Sequence, residues 1–178
     1  MEEALLKRRS VRRFSGKDLD KGQVSQLLWA AKGVTDKAGL RAAPSAGALY
    51  PLAVFLLDKT GCYRYLPQEH SLERTGPEDM RPRLMAAALG QDSVGEAPAD
   101  IVIAGSPGKL EWKYKDRAER YTLIEVGHAA QNILLQATAM GLGTAPIGAF
   151  SDAKASKLLP LPPGFKPYYI IPVGYHER

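Results

Sequence analysis

Two clusters of side chains have the types and spacing for chemistry. Arg8, Arg9, Arg12 and Arg13 fall within six residues, in Arg-Arg-Ser-Val-Arg-Arg. Guanidinium groups are planar forks that match phosphate oxygens. Nucleic acid, a phosphorylated cofactor and a solvated surface face all suit such a run. The second cluster is Lys113-Tyr114, in Glu-Trp-Lys-Tyr-Lys. A lysine beside a tyrosine can give or take a proton if the pair is partly buried, and does neither as a solvated loop. Two further stretches stand out for what they lack. Ala43-Pro44-Ser45-Ala46-Gly47-Ala48-Leu49-Tyr50-Pro51 and Ala145-Pro146-Ile147-Gly148-Ala149-Phe150 are built mainly of small residues. Small side chains let backbone N–H groups approach a flat ring or a phosphate closely. Neither stretch supplies a nucleophile or a base, which suits a site where a cofactor does the chemistry and the chain forms its cradle.

Other motifs fail on inspection. Gly141-Leu142-Gly143-Thr144-Ala145-Pro146 imitates a dinucleotide fingerprint, but its third glycine position is proline and it leaves a helix for a strand. It reads as a helix C-cap and turn. Ser151 and Lys154 satisfy a bare Ser-x-x-Lys pattern, which an N-cap serine explains better. No Gly-x-Ser-x-Gly and no P-loop occurs. The lone Cys62 excludes a disulfide framework, and His70, His128 and His176 share no ligand spacing, so no metal site is expected.

The elements that must position these groups follow from periodicity. The 178 residues, 45% hydrophobic and 24% charged, suit one globular domain spanning 1–178. Helices are expected over 2–9, from Leu19-Asp20 through Ala31, over 80–89, over 117–140 and from Ser151. Strands are expected over 51–57, 61–66, 100–104, 144–147 and 168–173, with 33–47 as loop and 106–116 as a mobile excursion. The stretch Ile-Glu-Val-Gly-His-Ala-Ala-Gln-Asn-Ile-Leu-Leu-Gln-Ala-Thr-Ala-Met is apolar nearly all round, so its helix is either central or shared with a partner chain. Helices and strands do not alternate regularly, which argues an α+β fold. The acidic-then-basic start is not a signal peptide, and no apolar run approaches membrane-spanning length, so a soluble, cytoplasmic protein is expected.

Four segments in order carry a resemblance: Arg-Arg-Ser-Val-Arg-Arg-Phe, Pro-Ser-Ala-Gly-Ala-Leu-Tyr-Pro-Leu, the run from Arg120 to Phe150, and the closing Tyr-Tyr-Ile-Ile-Pro-Val-Gly-Tyr. From about Ala4 to Tyr175 the chain resembles the flavin-dependent nitroreductase family, and most of all its branch of azoline dehydrogenases from peptide-toxin biosynthesis. The resemblance implies a mostly antiparallel central sheet flanked by helices, and a homodimer with FMN at the subunit interface. It implies that Arg8, Arg9, Ser10 and Arg12 hold the FMN phosphate and ribityl end. Pro44, Ser45, Ala46, Gly47 and Leu49 would line the flavin from the other subunit, with Pro146, Ile147 and Gly148 against its ring. The helix around 127–139 would form much of the dimer contact. In the azoline-oxidising branch a Lys-Tyr pair ahead of the long helix serves catalysis, and Lys113-Tyr114 stands in the matching place.

The chain departs from the commoner family pattern in three respects. Its loop reads Pro-Ser-Ala-Gly-Ala-Leu-Tyr-Pro-Leu, its Gly148-Ala149 replaces the usual Glu-Gly, and it ends at His176-Glu177-Arg178 where many relatives continue into a basic tail. The first two are the dehydrogenase branch's forms, and Arg178 is a candidate substitute for the tail. The activity implied is FMN-dependent ping-pong hydride transfer. It is either NAD(P)H-driven reduction of nitro or quinone acceptors or dehydrogenation of a peptide-like heterocycle. The alternatives are a flavin-binding protein without turnover and a nucleic-acid-binding domain. The latter would need aromatic platforms beside the arginines, where only Phe14 is close; neither nucleic acid nor membrane is expected as a partner.

Overall fold

In the computed structural model, which describes residues 1–177, seven helices surround a six-stranded sheet. The strands are β1 (Leu52–Asp58), β2 (Gly61–Leu66), β3 (Ser71–Gly76), β4 (Ala99–Gly105), β5 (Gly143–Thr144) and β6 (Lys166–Gly174). They lie in the order β3-β2-β1-β4-β6-β5, antiparallel at every pairing. The helices are α1 (Glu2–Lys7), α2 (Lys21–Lys32), α3 (Arg81–Ala87), α4 (Asp92–Glu96), α5 (Gly108–Tyr114), α6 (Ala118–Ala139) and α7 (Asp152–Leu158). The α+β architecture expected from the sequence is the one observed.

Successive side chains on a strand face opposite ways, so a sheet covered on both sides needs continuous apolar strands. Leu52, Val54 and Leu56 of β1 join Ile101 and Ile103 of β4 in a core that α2 and α6 close. Ala53, Phe55 and Leu57 join Val102 and Ala104 in a second core with Leu84 of α3 and Leu158 of α7. The result is three layers, with α6 the longest element at 22 residues.

Local signals set the ends of the helices near the site. Asp20 accepts from the Gln23 N–H at 2.8 Å while the Gln23 side chain accepts from the Asp20 N–H at 3.0 Å, a reciprocal cap that starts α2. At the far end of α6, Gly141 adopts φ +73°. Its N–H donates to the Thr138 carbonyl at 3.1 Å and Leu142 N–H donates to Ala137 at 2.9 Å, a Schellman closure that confirms the C-cap reading of this glycine-rich segment. Ser151 caps α7 by accepting from the Lys154 N–H, so the Ser-x-x-Lys pattern is a cap.

Three sequence expectations need correction. The stretch 106–116 is not an excursion, because Gly108–Tyr114 is helical and anchored by the buried Leu110. The strand expected over 144–147 is shorter, Gly143–Thr144, with Ile147 held separately by an isolated bridge to Ile170. β3 and α4 were not anticipated: β3 is a largely exposed edge strand without apolar alternation, and α4 has only five residues.

Candidate functional site

The structure assembles the sequence-derived candidates into two groups. The first joins the arginine run to the end of the sheet. α1 stops at Arg8, which turns extended, and the chain then runs beside β5. Val11 N–H donates to the Thr144 carbonyl at 2.8 Å, and Ser10 and Thr144 form a parallel bridge. This approach requires glycine at 143, since a Cβ there would stand 2.7 Å from Val11 Cβ. The segment continues into Pro146 and Ile147. Ile147 exchanges both backbone hydrogen bonds with Ile170, at 2.8 and 3.1 Å, and leaves Gly148 exposed. Arg8, Arg9, Ser10 and Arg12 are thereby carried on the segment that flanks Gly143-Thr144. Arg9 folds back onto the carbonyls of Leu6 and Arg8, and Arg13 stands 3.6 Å from Glu177. Arg8 and Arg12 pair with no carboxylate among the described residues. Arg178, the candidate tail substitute, lies outside the described residues.

The second group joins the small-residue loop to α5. Ser45 Oγ accepts from the Tyr50 N–H at 2.9 Å and closes a tight turn over Ala46–Ala48. Gly47, Ala48 and Tyr50 all take left-handed backbone, at φ +60°, +54° and +48°. Alanine and tyrosine pay a steric cost there that the turn must sustain. A Cβ at Gly47 would stand 2.8 Å from both Lys113 Nζ and Tyr114 Oη. The loop and the Lys-Tyr pair, more than sixty residues apart in sequence, are therefore in contact. Tyr114 is half-buried and packs edge-on against Tyr121 with ring centroids 4.9 Å apart, while Lys113 is exposed. Pro44 and Gly47 are exposed, and Ser45, Ala46 and Leu49 half-buried. No hydrogen bond or ion pair links the two groups among the described residues.

Sequence reasoning missed three charged residues behind the loop. Glu125, on the buried face of α6, is pushed up to about 7 by burial, which the Ser45 hydroxyl and the charges of Lys32 and Arg41 only partly oppose. Lys32, at the end of α2, is pushed down to about 7 by burial and by the neighbouring Arg41, with Glu125 pulling the other way. Burial also lowers Arg41. The available signal was positional: Glu125 lies in register with Thr122, Val126 and Ala129 on the core face, and Lys32 four residues after Leu28 on that of α2.

Comparison with known proteins decides the family. The Nitroreductase family profile matches residues 5–175. This chain belongs to the nitroreductase family. A provisionally named nitroreductase of Methanocaldococcus jannaschii is 39% identical over 98% of this chain and 90% of its own length. A provisionally named nitroreductase of Ralstonia eutropha JMP134, solved by crystallography, superposes with a TM-score of 0.90 at 30% identity, over 99% of this chain and 83% of that one. A chain of the Escherichia coli microcin synthetase McbBCD complex, solved with truncated pro-MccB17 bound, gives a TM-score of 0.85 at 26% identity, over 97% and 70%. This nitroreductase-family chain is thus an oxidoreductase with a likeness to a chain of the microcin synthetase complex. None of its helices among the described residues is long and apolar enough to cross a membrane.

Proposed function

We propose that the chain is an FMN-dependent oxidoreductase that works by ping-pong hydride transfer as a homodimer. The observation that carries this reading is the convergence of Lys113 Nζ and Tyr114 Oη on Gly47, at the centre of the small-residue loop. A proton-handling pair against a surface stripped of side chains suits a flat substrate stacked on a flat cofactor.

The residues fit FMN. Arg8 and Arg12 are cations without an acidic partner among the described residues, on a segment fixed by Gly143, and with Arg9 and Ser10 would take the phosphate and ribityl hydroxyls. Gly148 is exposed, and a Cβ there would meet only Tyr169 Cε2 at 3.8 Å, so packing within the chain leaves the site open to a ring. Pro146, Ile147 and Gly148 would lie along that ring. Pro44, Ser45, Ala46, Gly47 and Leu49 would close it from the second subunit. When bound, FMN supplies the hydride acceptor and donor. The chain's own part is to bind and orient, to exclude water with the loop, and to move a proton at Lys113 Nζ or Tyr114 Oη.

The dimer reading is supported by apolar residues left in water. Leu123, Ile124 and Gly127 are exposed along α6, and Leu5 and Leu6 on the adjoining α1. Such a stripe suits burial against a second copy, which would bring the two site groups of different subunits together.

Two reactions fit: NAD(P)H-driven reduction of a nitro or quinone acceptor, and dehydrogenation of a peptide-like heterocycle. The Lys-Tyr contact and the similarity to the microcin synthetase chain favour the second. The test begins with the visible spectrum of the purified protein and anaerobic addition of NADPH and NADH. A flavin spectrum that bleaches supports the reductase arm, and one that stays oxidised shifts weight to the dehydrogenase. A protein unable to take up FMN refutes the proposal. Lys113→Ala and Tyr114→Ala should abolish dehydrogenation yet leave nicotinamide-driven reduction largely intact; equal loss of both would remove the pair from its role.

A further inference from the structure

Behind the loop lies a cavity of about 340 Å³ whose charged lining is entirely cationic. Lys32, Arg41, Arg64 and Lys109 reach it from α2, the loop after α2, β2 and α5. Aromatic rings form its walls: the Arg41 guanidinium lies 4.4 Å from the centroid of Tyr50, and Lys109 Nζ lies 5.3 Å from that of Phe165. Two of the cations are costly to the fold. Lys32 is only 9% exposed and its ammonium has no hydrogen-bond or ion-pair partner among the described residues. Arg41 Nε and Nη1 are buried and donate to nothing. The nearest opposing charge is Glu125 on α6, which lies outside the lining and is itself driven toward its neutral form. A buried charge without a partner destabilises a fold, and an apolar residue of similar shape would remove that cost. Four cations converging on one space make sense if something anionic completes them.

We propose that this cavity binds an organic oxyanion, a carboxylate or phosphate on a compact flat body. The charge of the ligand would meet Lys32, Arg41 and Arg64, and its body would lie between Tyr50 and Phe165. A volume of about 340 Å³ falls at the small end of ligand pockets, which suits a single ring or a short acidic side chain rather than a dinucleotide. Leu49 and Tyr50 belong both to this cavity and to the loop that meets Lys113-Tyr114, so the acidic end of a substrate would be held beside the proton-handling pair. The binding itself does not depend on the flavin reading.

Phenyl phosphate is the probe, titrated calorimetrically into the full chain with FMN present, beside phenol as its neutral counterpart. Saturable binding at one molecule per chain is expected, with phenol far weaker. Lys32→Met and Arg64→Ala should each weaken binding about tenfold or more, as expected for loss of a charge-assisted contact. Arg12→Ala, on the flavin-phosphate segment, should leave phenyl phosphate binding in place even where it weakens FMN. Arg64 is partly exposed on β2, so its variant decides the matter if Lys32→Met does not fold. Absence of saturable binding, unchanged affinity in both cavity variants, or loss confined to Arg12→Ala would overturn the proposal.

Discussion

Replacing Lys32 by methionine should stabilise the protein at mildly acid pH, because it removes a charge that the fold buries at a loss. The lysine sits near pH 7 in the folded chain against an ordinary value of 10.5. At about 1.4 kcal/mol per pH unit the difference amounts to about 5 kcal/mol held against folding wherever the side chain is charged. The sign follows from the depressed value. The lysine burdens the fold fully below pH 7, less as pH rises from 7 to 10.5, and not at all above. Glu125 works oppositely, since its raised value of about 7 against 4.5 makes its cost grow as pH rises through that range. Without Lys32 the carboxyl loses a neighbour that favours its ionised form, which returns part of the gain. The net effect at pH 6 is roughly 2–4 kcal/mol of added stability, falling toward zero by pH 10.5. Urea melts at pH 6 and pH 9.5 measure it, with a midpoint rise of roughly 1–2 M expected at the lower pH. A variant less stable than wild type at pH 6, or equally stabilised at both, would refute the reasoning.

Gly47→Ala should lose only about 1 kcal/mol in a thermal melt, since φ is +60° and the atoms met are side-chain ends. It should cut turnover sharply by pushing Lys113 and Tyr114 aside. Gly148→Ala, with space for its Cβ, should leave stability within about 0.5 kcal/mol and weaken flavin retention, read by fluorescence of released FMN. Leu123→Asp should turn a sedimenting dimer into a monomer; a monomeric wild type would instead refute the dimer reading. Asp100→Asn should gain stability relative to wild type as pH rises above 4. The carboxyl it replaces is held well above its ordinary value by complete burial, so its cost grows with pH.

The fold was legible where two periodicities were clean. β1 and β4 read as apolar runs because both sheet faces are covered, and Val24, Leu27, Leu28 and Ala31 gave α2 its amphipathic spacing. β3 was illegible for the converse reason: Ser-Leu-Glu-Arg-Thr-Gly is an edge ribbon largely in water and carries no buried stripe. α5 hid because Gly108, Lys109, Glu111, Trp112 and Lys113 are exposed and Leu110 alone is buried, too little for a period. At the site, residue types identified the arginine run, the small-residue loop and the Lys-Tyr pair. Their meeting at Gly47 was not readable, because it depends on where β1 and β4 place the ends of two distant loops. Lys32, Arg41 and Glu125 escaped for a deeper reason. A charged letter in an amphipathic pattern is ordinarily assigned to water, and only the packing of α2 against α6 puts Lys32 and Glu125 inside, while Arg41 comes to them from the loop that follows α2.

Buried charge alone does not mark function, as Asp100 makes plain. That carboxyl is fully buried and neither oxygen has a partner, yet it stands on β4 between Leu57 and Pro172 in register. The nearby Arg81 guanidinium is already taken by Asp79, at 2.9 and 2.6 Å. An acid can meet such a position by keeping its proton, at a cost that grows with pH but that leaves no charge buried. Arg41 has no such escape, because a guanidinium holds its charge at any physiological pH. Neutralising Lys32 would still leave Arg41, Arg64 and Lys109 around one space, with Glu125 behind them moving toward neutrality as well. The two cases therefore separate on whether the fold can resolve the burial by itself. At Asp100 a proton suffices, whereas Arg41 keeps its charge and shares one cavity with Lys32, Arg64 and Lys109, the arrangement expected of the proposed oxyanion site.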